Sequence, residues 1–214
     1  TSVVNLDSPN WADGLNRGAY INDGVPLKWW HGWGSFLDYS YPAAVAWWHR
    51  QMDAVLKLGV DGWKCDGTDW VLAEFLGIIE GHAGQLSRKQ YSDYYYRDFF
   101  YHSRQFNNDS LIMARPADSY EFVYVAFAPH DVMYSGWVGD QDPTFAGMRD
   151  ALRNMFHAAW WNYANFGSDI GGYRAGGGNR TKELLLRWAQ LGAFCPLMEN
   201  GGEGRHAPWR FDNE

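Results

Sequence analysis

Two aspartates stand where short apolar runs stop: Asp66 ends Val60-Asp61-Gly62-Trp63-Lys64-Cys65-Asp66, and Asp140 ends Trp137-Val138-Gly139-Asp140. One acid at such a place could cap the next helix or bind a cation. Two acids, each after a Trp-containing run and projecting from one rim, suggest a carboxylate pair for general acid/base or nucleophilic work. The composition suits a sugar, with 13 Trp, 13 Tyr and 12 Phe set among 24 Gly and many Asp and Asn. The C–H face of a pyranose packs on an aromatic ring, and its hydroxyls take bidentate partners among amides and carboxylates. An aromatic-rich core accounts for the same composition, so motifs must decide. The seven histidines show neither H-x-H nor H-E-x-x-H spacing, so a metal-dependent hydrolase is the weakest reading.

Stepping from these acids to the elements that must hold them, residues 1–41 carry turn chemistry (Asn10, Asp13-Gly14, Asn22-Asp23-Gly24, Pro26) and predict a long irregular segment containing Trp29, Trp30 and Trp33. Pro42 then opens a helix over 43–58, with Val45, Trp48, Met52, Val55 and Leu56 as its apolar stripe and Gly59 as its C-terminal cap. A strand over 60–65 follows, ending at Asp66. The cadence repeats with a helix over 87–106, a strand over 111–114 closed by Arg115-Pro116, and a strand over 132–135 running out toward Asp140. Pro143 is expected to open a helix reaching His157, its buried stripe made of Phe145, Met148, Leu152, Met155 and Phe156. A strand over 163–166, a helix over 181–191 and a strand over 193–197 complete the pattern.

Five strands separated by helices point to parallel βαβ units, whose right-handed crossovers place every strand's C-terminal end on one face. Polar residues collect at those ends, as expected of an α/β fold of the (β/α)8 TIM-barrel type. The rival doubly wound sheet lacks its fingerprint, since Gly176-Gly177-Gly178 is not G-x-G-x-x-G. A complete barrel takes ~250 residues, so residues 1–214 read as the C-terminal larger part of a barrel, incomplete at about its last five strands. Earlier strands and flanking domains would lie outside, and residues 1–214 expressed alone are expected to aggregate or be inactive.

With Lys+Arg 18 against Asp+Glu 25, the formal charge is −7 and no long run of either sign occurs, which argues against nucleic acid and a polybasic membrane patch. No apolar stretch approaches the ~18 residues of a spanning helix. Two cysteines, Cys65 and Cys195, do not make a disulfide scaffold. The sequons at Asn108 and Asn179 are three-residue matches that arise often by chance.

Six strings, in order along nearly the whole chain, resemble glycoside hydrolase family 31, the α-glucosidase and α-xylosidase family. Phe36-Leu37-Asp38-Tyr39-Ser40-Tyr41-Pro42, followed by Trp47-Trp48, resembles its L-D-[FY]-[ST]-x-P segment. The run ending at Asp66 resembles the strand that delivers the nucleophile, and Trp137-Val138-Gly139-Asp140 resembles the W-x-G-D of the acid/base. Gly167-Ser168-Asp169-Ile170-Gly171-Gly172 is similar to G-x-D-I-G-G, Arg187-Trp188-Ala189-Gln190-Leu191-Gly192-Ala193-Phe194 to R-W-x-Q-x-G-x-F, and Arg205-His206-Ala207-Pro208-Trp209 to R-x-H-x-P-W.

The resemblance implies a retaining double displacement on an oligosaccharide or glycoside, with no metal and no nucleotide cofactor. Asp66 would attack the anomeric carbon while a protonated Asp140 serves the leaving oxygen and later deprotonates water. Burial and the Asp66 charge would both favour the protonated acid. Arg115 resembles the family's site arginine, able to hold Asp140 or a sugar hydroxyl; an ion pair at a strand end is the plainer role. Asp169 and His206 match positions that hydrogen-bond the sugar, although Asp169 could be a satisfied structural acid. Lys64 would point into the rim beside Asp66, where a buried lysine needs an anionic or hydroxyl partner. Trp137 could floor the site or serve the core. Cys65 turns away from the Asp66 side by strand alternation. Asp118, Asp131, Asp142 and Asp212 read as solvated or capping residues.

Two departures bear on the sugar. Asp66-Gly67-Thr68-Asp69 replaces the usual D-M-N-E or D-F-G-E, and the aromatic stretch over 120–127 is unusual. Such variants resemble the family's α-galactosidase-like branches, so both α-glucoside-type and α-galactoside-type substrates stay open. A transglycosylase and a non-catalytic carbohydrate-binding protein are the alternatives, retention of both acids counting against the second.

Overall fold

The first 41 residues, expected to be irregular, include instead a three-stranded antiparallel sheet. β1 (Val3–Asn5) and β2 (Leu27–Trp29) both run antiparallel to β3 (Gly32–Phe36), with Val3 opposite Phe36 and Lys28 opposite Trp33. A short helix, α1 (Trp11–Asn16), lies between β1 and β2 in sequence. The structure, a computed structural model, describes residues 2–66, 78–115, 128–174, 180–204 and 206–212. It divides into two units, residues 1–112 with 127–132 and residues 113–126 with 133–214.

In the first unit, Pro42 occupies the first turn of α2 (Pro42–Leu56), whose buried residues are Ala44, Trp47, Met52 and Leu56. The buried face is thus rotated from the expected stripe, and Val55 is exposed. Trp47 turns inward because its Nε1 donates to Asp13 Oδ2 at 2.8 Å and Tyr20 meets its ring edge-on. β4 (Gly62–Cys65) leads to the hairpin of β5 (Ile79–Gly81) and β6 (Gly84–Leu86). Asp38, the buried acid of the first family-like string, accepts from Ser40 N and Oγ and from His82 N, which makes it a turn organiser.

α3 (Arg88–Ser103) begins at Ser87, whose side chain and that of Gln90 form a reciprocal capping box. Its buried face carries Tyr91, Tyr95, Tyr96, Phe99 and Phe100. Trp63 of β4 donates Nε1 to Ser103 Oγ at 2.8 Å and meets Phe99 edge-on, so the Trp63/Cys65 face of the strand is the one covered by α3. Two His–carboxylate pairs tie α3 to α2: His49 with Asp98 and His102 with Asp53, each at 2.7 Å, the two rings stacked 3.6 Å apart. β7 (Leu111–Ala114) runs beside β4, Leu111 N donating to Asp61 O.

In the second unit the end of β7 neighbours β8 (Met133–Val138), and β8 pairs in parallel with β9 (Phe166–Ser168), Trp137 opposite Gly167 and Val138 opposite Ser168. α4 (Phe145–Trp160) starts at Thr144, whose side chain accepts from Gly147 N, so Pro143 precedes the cap. Its buried face is Gly147, Ala151, Asn154 and Ala158, whereas Phe145 and Phe156 are exposed. The expected stripe is therefore wrong at its two phenylalanines, while Met148, Leu152 and Met155 are half-buried beside the small-residue face. α5 (Lys182–Gly192), capped by Thr181, buries Trp188, whose Nε1 donates to Ser168 Oγ at 2.9 Å. Residues 193–197 form no strand, because the turn Phe194 N to Leu191 O and Cys195 N to Gly192 O absorbs them. The chain meets β9 further on, at a single parallel bridge between Asp169 and Glu199. Among the described residues a helix separates β4 from β7 and another separates β8 from β9, the barrel is not closed, and no helix is long and apolar enough to cross a membrane.

Candidate active site

In the first unit, Asp66 follows the last residue of β4 and is half-buried. Its carbonyl accepts from Tyr95 Oη at 3.2 Å, which fixes the chain where the strand stops. Cys65 is fully buried and burial pushes its thiol up to about 12, the protonated, packed residue expected beside the acid. Since Trp63 and Cys65 face α3, alternation sends Lys64 and Asp66 to the opposite side of the strand. Lys64 is exposed there, not buried as expected, because the described residues build no closed rim around it.

In the second unit, Asp140 lies two residues past β8 with φ 63°, a left-handed conformation that Asp tolerates better than most residues. Arg115, just past β7, sets Nη1 3.2 Å from Asp140 Oδ1, with the arginine side chain 6% exposed and the acid 25%. The guanidinium also stands 5.6 Å from the ring centroid of Trp137, a buried side chain that both braces the arginine and packs the core. Gly139 is required by this closeness, since a Cβ there would lie 2.6 Å from Arg115 Nη1 and 2.8 Å from Trp137 Nε1.

The parallel register carries Asp169 to the same end of the sheet, one residue past Ser168 as Gly139 is one past Val138. Asp169 is fully buried, and its bridge to Glu199 holds the next segment beside it. The following turn, Ile170-Gly171-Gly172, has φ near +85° at both glycines. A Cβ on Gly172 would meet Asp142 O at 2.8 Å, so the glycine pair answers both a conformational and a steric demand. Arg180 reaches into this turn, donating Nε to Gly171 O at 2.8 Å and Nη2 to Gly172 O at 2.6 Å. Burial draws its guanidinium down from the usual arginine value, and the Asp169 charge opposes that. His206 is held below the ordinary histidine value by burial first and the Arg180 charge second, with backbone groups of Glu203 and Ile170 pulling the other way.

The profile of the glycosyl hydrolases family 31 TIM-barrel domain matches residues 2–214. The chain belongs to glycosyl hydrolase family 31. It is 26% identical over 214 residues to the alpha-xylosidase XylQ of Lactiplantibacillus pentosus, a match covering 97% of this chain and 27% of that protein. It is 25% identical over 213 residues to the isomaltosyltransferase of Sporosarcina globispora, covering 95% and 18%. The chain thus spans about a quarter of the curated relatives it matches. The cycloalternan-degrading enzyme from Trueperella pyogenes shares the fold, with a TM-score of 0.78 at 21% identity over 98% of this chain and 31% of that one.

Within this family 31 chain, the second unit brings together Arg115, Trp137 and Asp140, and separately Asp169, Arg180 and His206; Asp66 and Lys64 belong to the first unit. Asp131 is exposed and ion-paired with Arg97, Asp212 with Lys182, and Asp142 lies 3.8 Å from Arg174, while Asp118 and the stretch over 120–127 lie outside the described residues. Two residues escaped the sequence reading. Tyr95 looked like one aromatic of a helix, and Arg180 follows a glycine run with no periodic signal; only coordinates reveal that each holds a backbone carbonyl at a strand end.

Proposed function

We propose that this chain is the C-terminal larger part of the catalytic barrel of a retaining α-glycosidase, with Asp66 as nucleophile and Asp140 as acid/base. The observation that carries the reading is the ion pair of Arg115 with Asp140 at a strand end, in a family 31 chain whose other acid, Asp66, also leaves a strand end. Asp66 attacks the anomeric carbon, the glycosidic bond breaks, and the proton of Asp140 passes to the departing oxygen. Water then adds to the same carbon, its proton goes to Asp140, and the ester bond to Asp66 breaks. Arg115 holds one carboxylate oxygen of Asp140, and the proton travels on the carboxyl group so held. Asp169 and His206 hydrogen-bond sugar hydroxyls, Trp137 supports the floor, and Lys64 stands on the Asp66 side of β4.

The substrate is an oligosaccharide or glycoside of α-glucoside or α-galactoside type, and no metal or nucleotide takes part. The isomaltosyltransferase among the relatives favours a second reading, in which a sugar hydroxyl replaces water as acceptor. The deciding experiment uses the full-length protein on α-linked aryl gluco-, galacto-, xylo- and N-acetylgalactosaminides, with and without an added sugar acceptor. Turnover of one glycoside, lost in Asp66→Asn, supports the reading, and product longer than the donor assigns transglycosylation. No turnover by folded protein that still binds sugar would replace it with a non-catalytic carbohydrate-binding role.

A further inference from the structure

Arg180 belongs to none of the family-like strings, yet it occupies the middle of the second cluster. Its side chain is buried, and three nitrogens go to three backbone carbonyls: Gly171 O at 2.8 Å, Gly172 O at 2.6 Å and Glu203 O at 3.3 Å. The first two carbonyls belong to the turn that leaves β9 through Asp169. The third belongs to the loop that leads to His206. A further bond, Glu203 N to Tyr173 O at 2.7 Å, closes the same two segments against each other. The two groups assigned above to the sugar, Asp169 and His206, both interact electrostatically with Arg180.

We propose that Arg180 is the positioning residue of the sugar subsite, pinning the Asp169 turn to the His206 loop so that both side chains present themselves to one sugar ring. This rests on the glycosidase reading above. The planar fork of arginine matters here, because one side chain must donate in three directions at fixed angles; a lysine keeps the charge and loses that geometry. Positioning of this kind is sensitive: misplacing a contact by about 1 Å costs on the order of 10²-fold in rate.

The test measures kcat and KM of full-length Arg180→Lys and Arg180→Ala on the aryl glycoside that the unaltered protein turns over, with rates counted per folded molecule by near-UV circular dichroism. The expected result is a loss of kcat/KM of about 10- to 100-fold in both variants, with guanidinium ion restoring part of it in Arg180→Ala alone. Unchanged kcat/KM per folded molecule in Arg180→Lys would reduce Arg180 to a structural residue and overturn the inference while leaving the glycosidase reading intact. If Arg180→Ala does not fold, Arg180→Lys decides alone. Absence of both turnover and sugar binding in the unaltered protein overturns both.

Discussion

The two acids are held by opposite means. Around Asp66 one anchoring contact is to the backbone: Tyr95 takes the Asp66 carbonyl, and α3 covers the Trp63/Cys65 face of β4. Around Asp140 it is to the side chain: Arg115 takes the carboxylate and Trp137 braces Arg115. For the nucleophile proposed at 66, an anchor on the main chain aims the residue without itself occupying an attacking oxygen. For the acid/base proposed at 140, an anchor on one oxygen holds the carboxyl group through both proton transfers.

The largest test of this contrast removes the carboxylates. Asp66→Asn is expected to lower kcat on the order of 10⁴-fold or more, with no recovery from azide. Asp140→Gly, which suits a positive φ and leaves space, should lose about 10²- to 10⁴-fold and recover partly with azide, as followed by release of the aryl alcohol and by an α-glycosyl azide product, since azide displaces Asp66 from the β-linked ester. An α-glycosyl azide formed by the Asp66 variant instead would exchange the two roles.

A smaller effect should come from the side-chain anchor. Arg115→Met deletes a charged contact worth about 1.5–3 kcal/mol, a loss of roughly 10- to 100-fold in kcat/KM. The backbone anchor should behave differently: Tyr95→Phe is expected to lower stability by about 1 kcal/mol in urea unfolding while kcat stays within a few-fold. Equal effects of the two substitutions on kcat would erase the distinction between them.

The smallest effect concerns pH. His206 takes up a proton less readily when folded than when unfolded. Its contribution to stability is therefore complete above the usual histidine value and is lost as pH falls through the lowered one. His206→Gln should accordingly show a shallower fall of Tm between pH 7 and pH 5 than the unaltered protein. A parallel fall in both would remove His206 from the acid response.

Much of the framework was legible because its signals are local. Pro42, the Ser87/Gln90 pair and Thr181 mark helix starts, and β7 was bounded correctly at 111–114 by the loop before it and by Arg115-Pro116 after it. What failed was non-local. β1 finds β3 across about 30 residues, a pairing that a three-residue strand such as Val3–Asn5 does not announce. The buried face of α4 went to Gly147, Ala151, Asn154 and Ala158 because the neighbour's closeness, and not residue hydrophobicity, chose it. Lys64 was assigned to the correct strand and to an enclosure that the described residues do not build.

The left-handed backbone at Asp140 bears on how this chain can drift. All five non-glycine residues at positive φ among the described ones are Asn or Asp: Asn22, Asp23, Asp140, Asn162 and Asn165. On the proposed reading most replacements at 140 are therefore penalised twice, once in chemistry and once in conformation, whereas asparagine meets the conformational demand and keeps a side-chain carbonyl oxygen beside Arg115. In a descendant freed from selection for turnover, the replacement of least structural consequence is Asp140→Asn, one base change away. On the proposed reading, the route from enzyme to sugar-recognising protein is thus short and leaves almost no trace in the backbone.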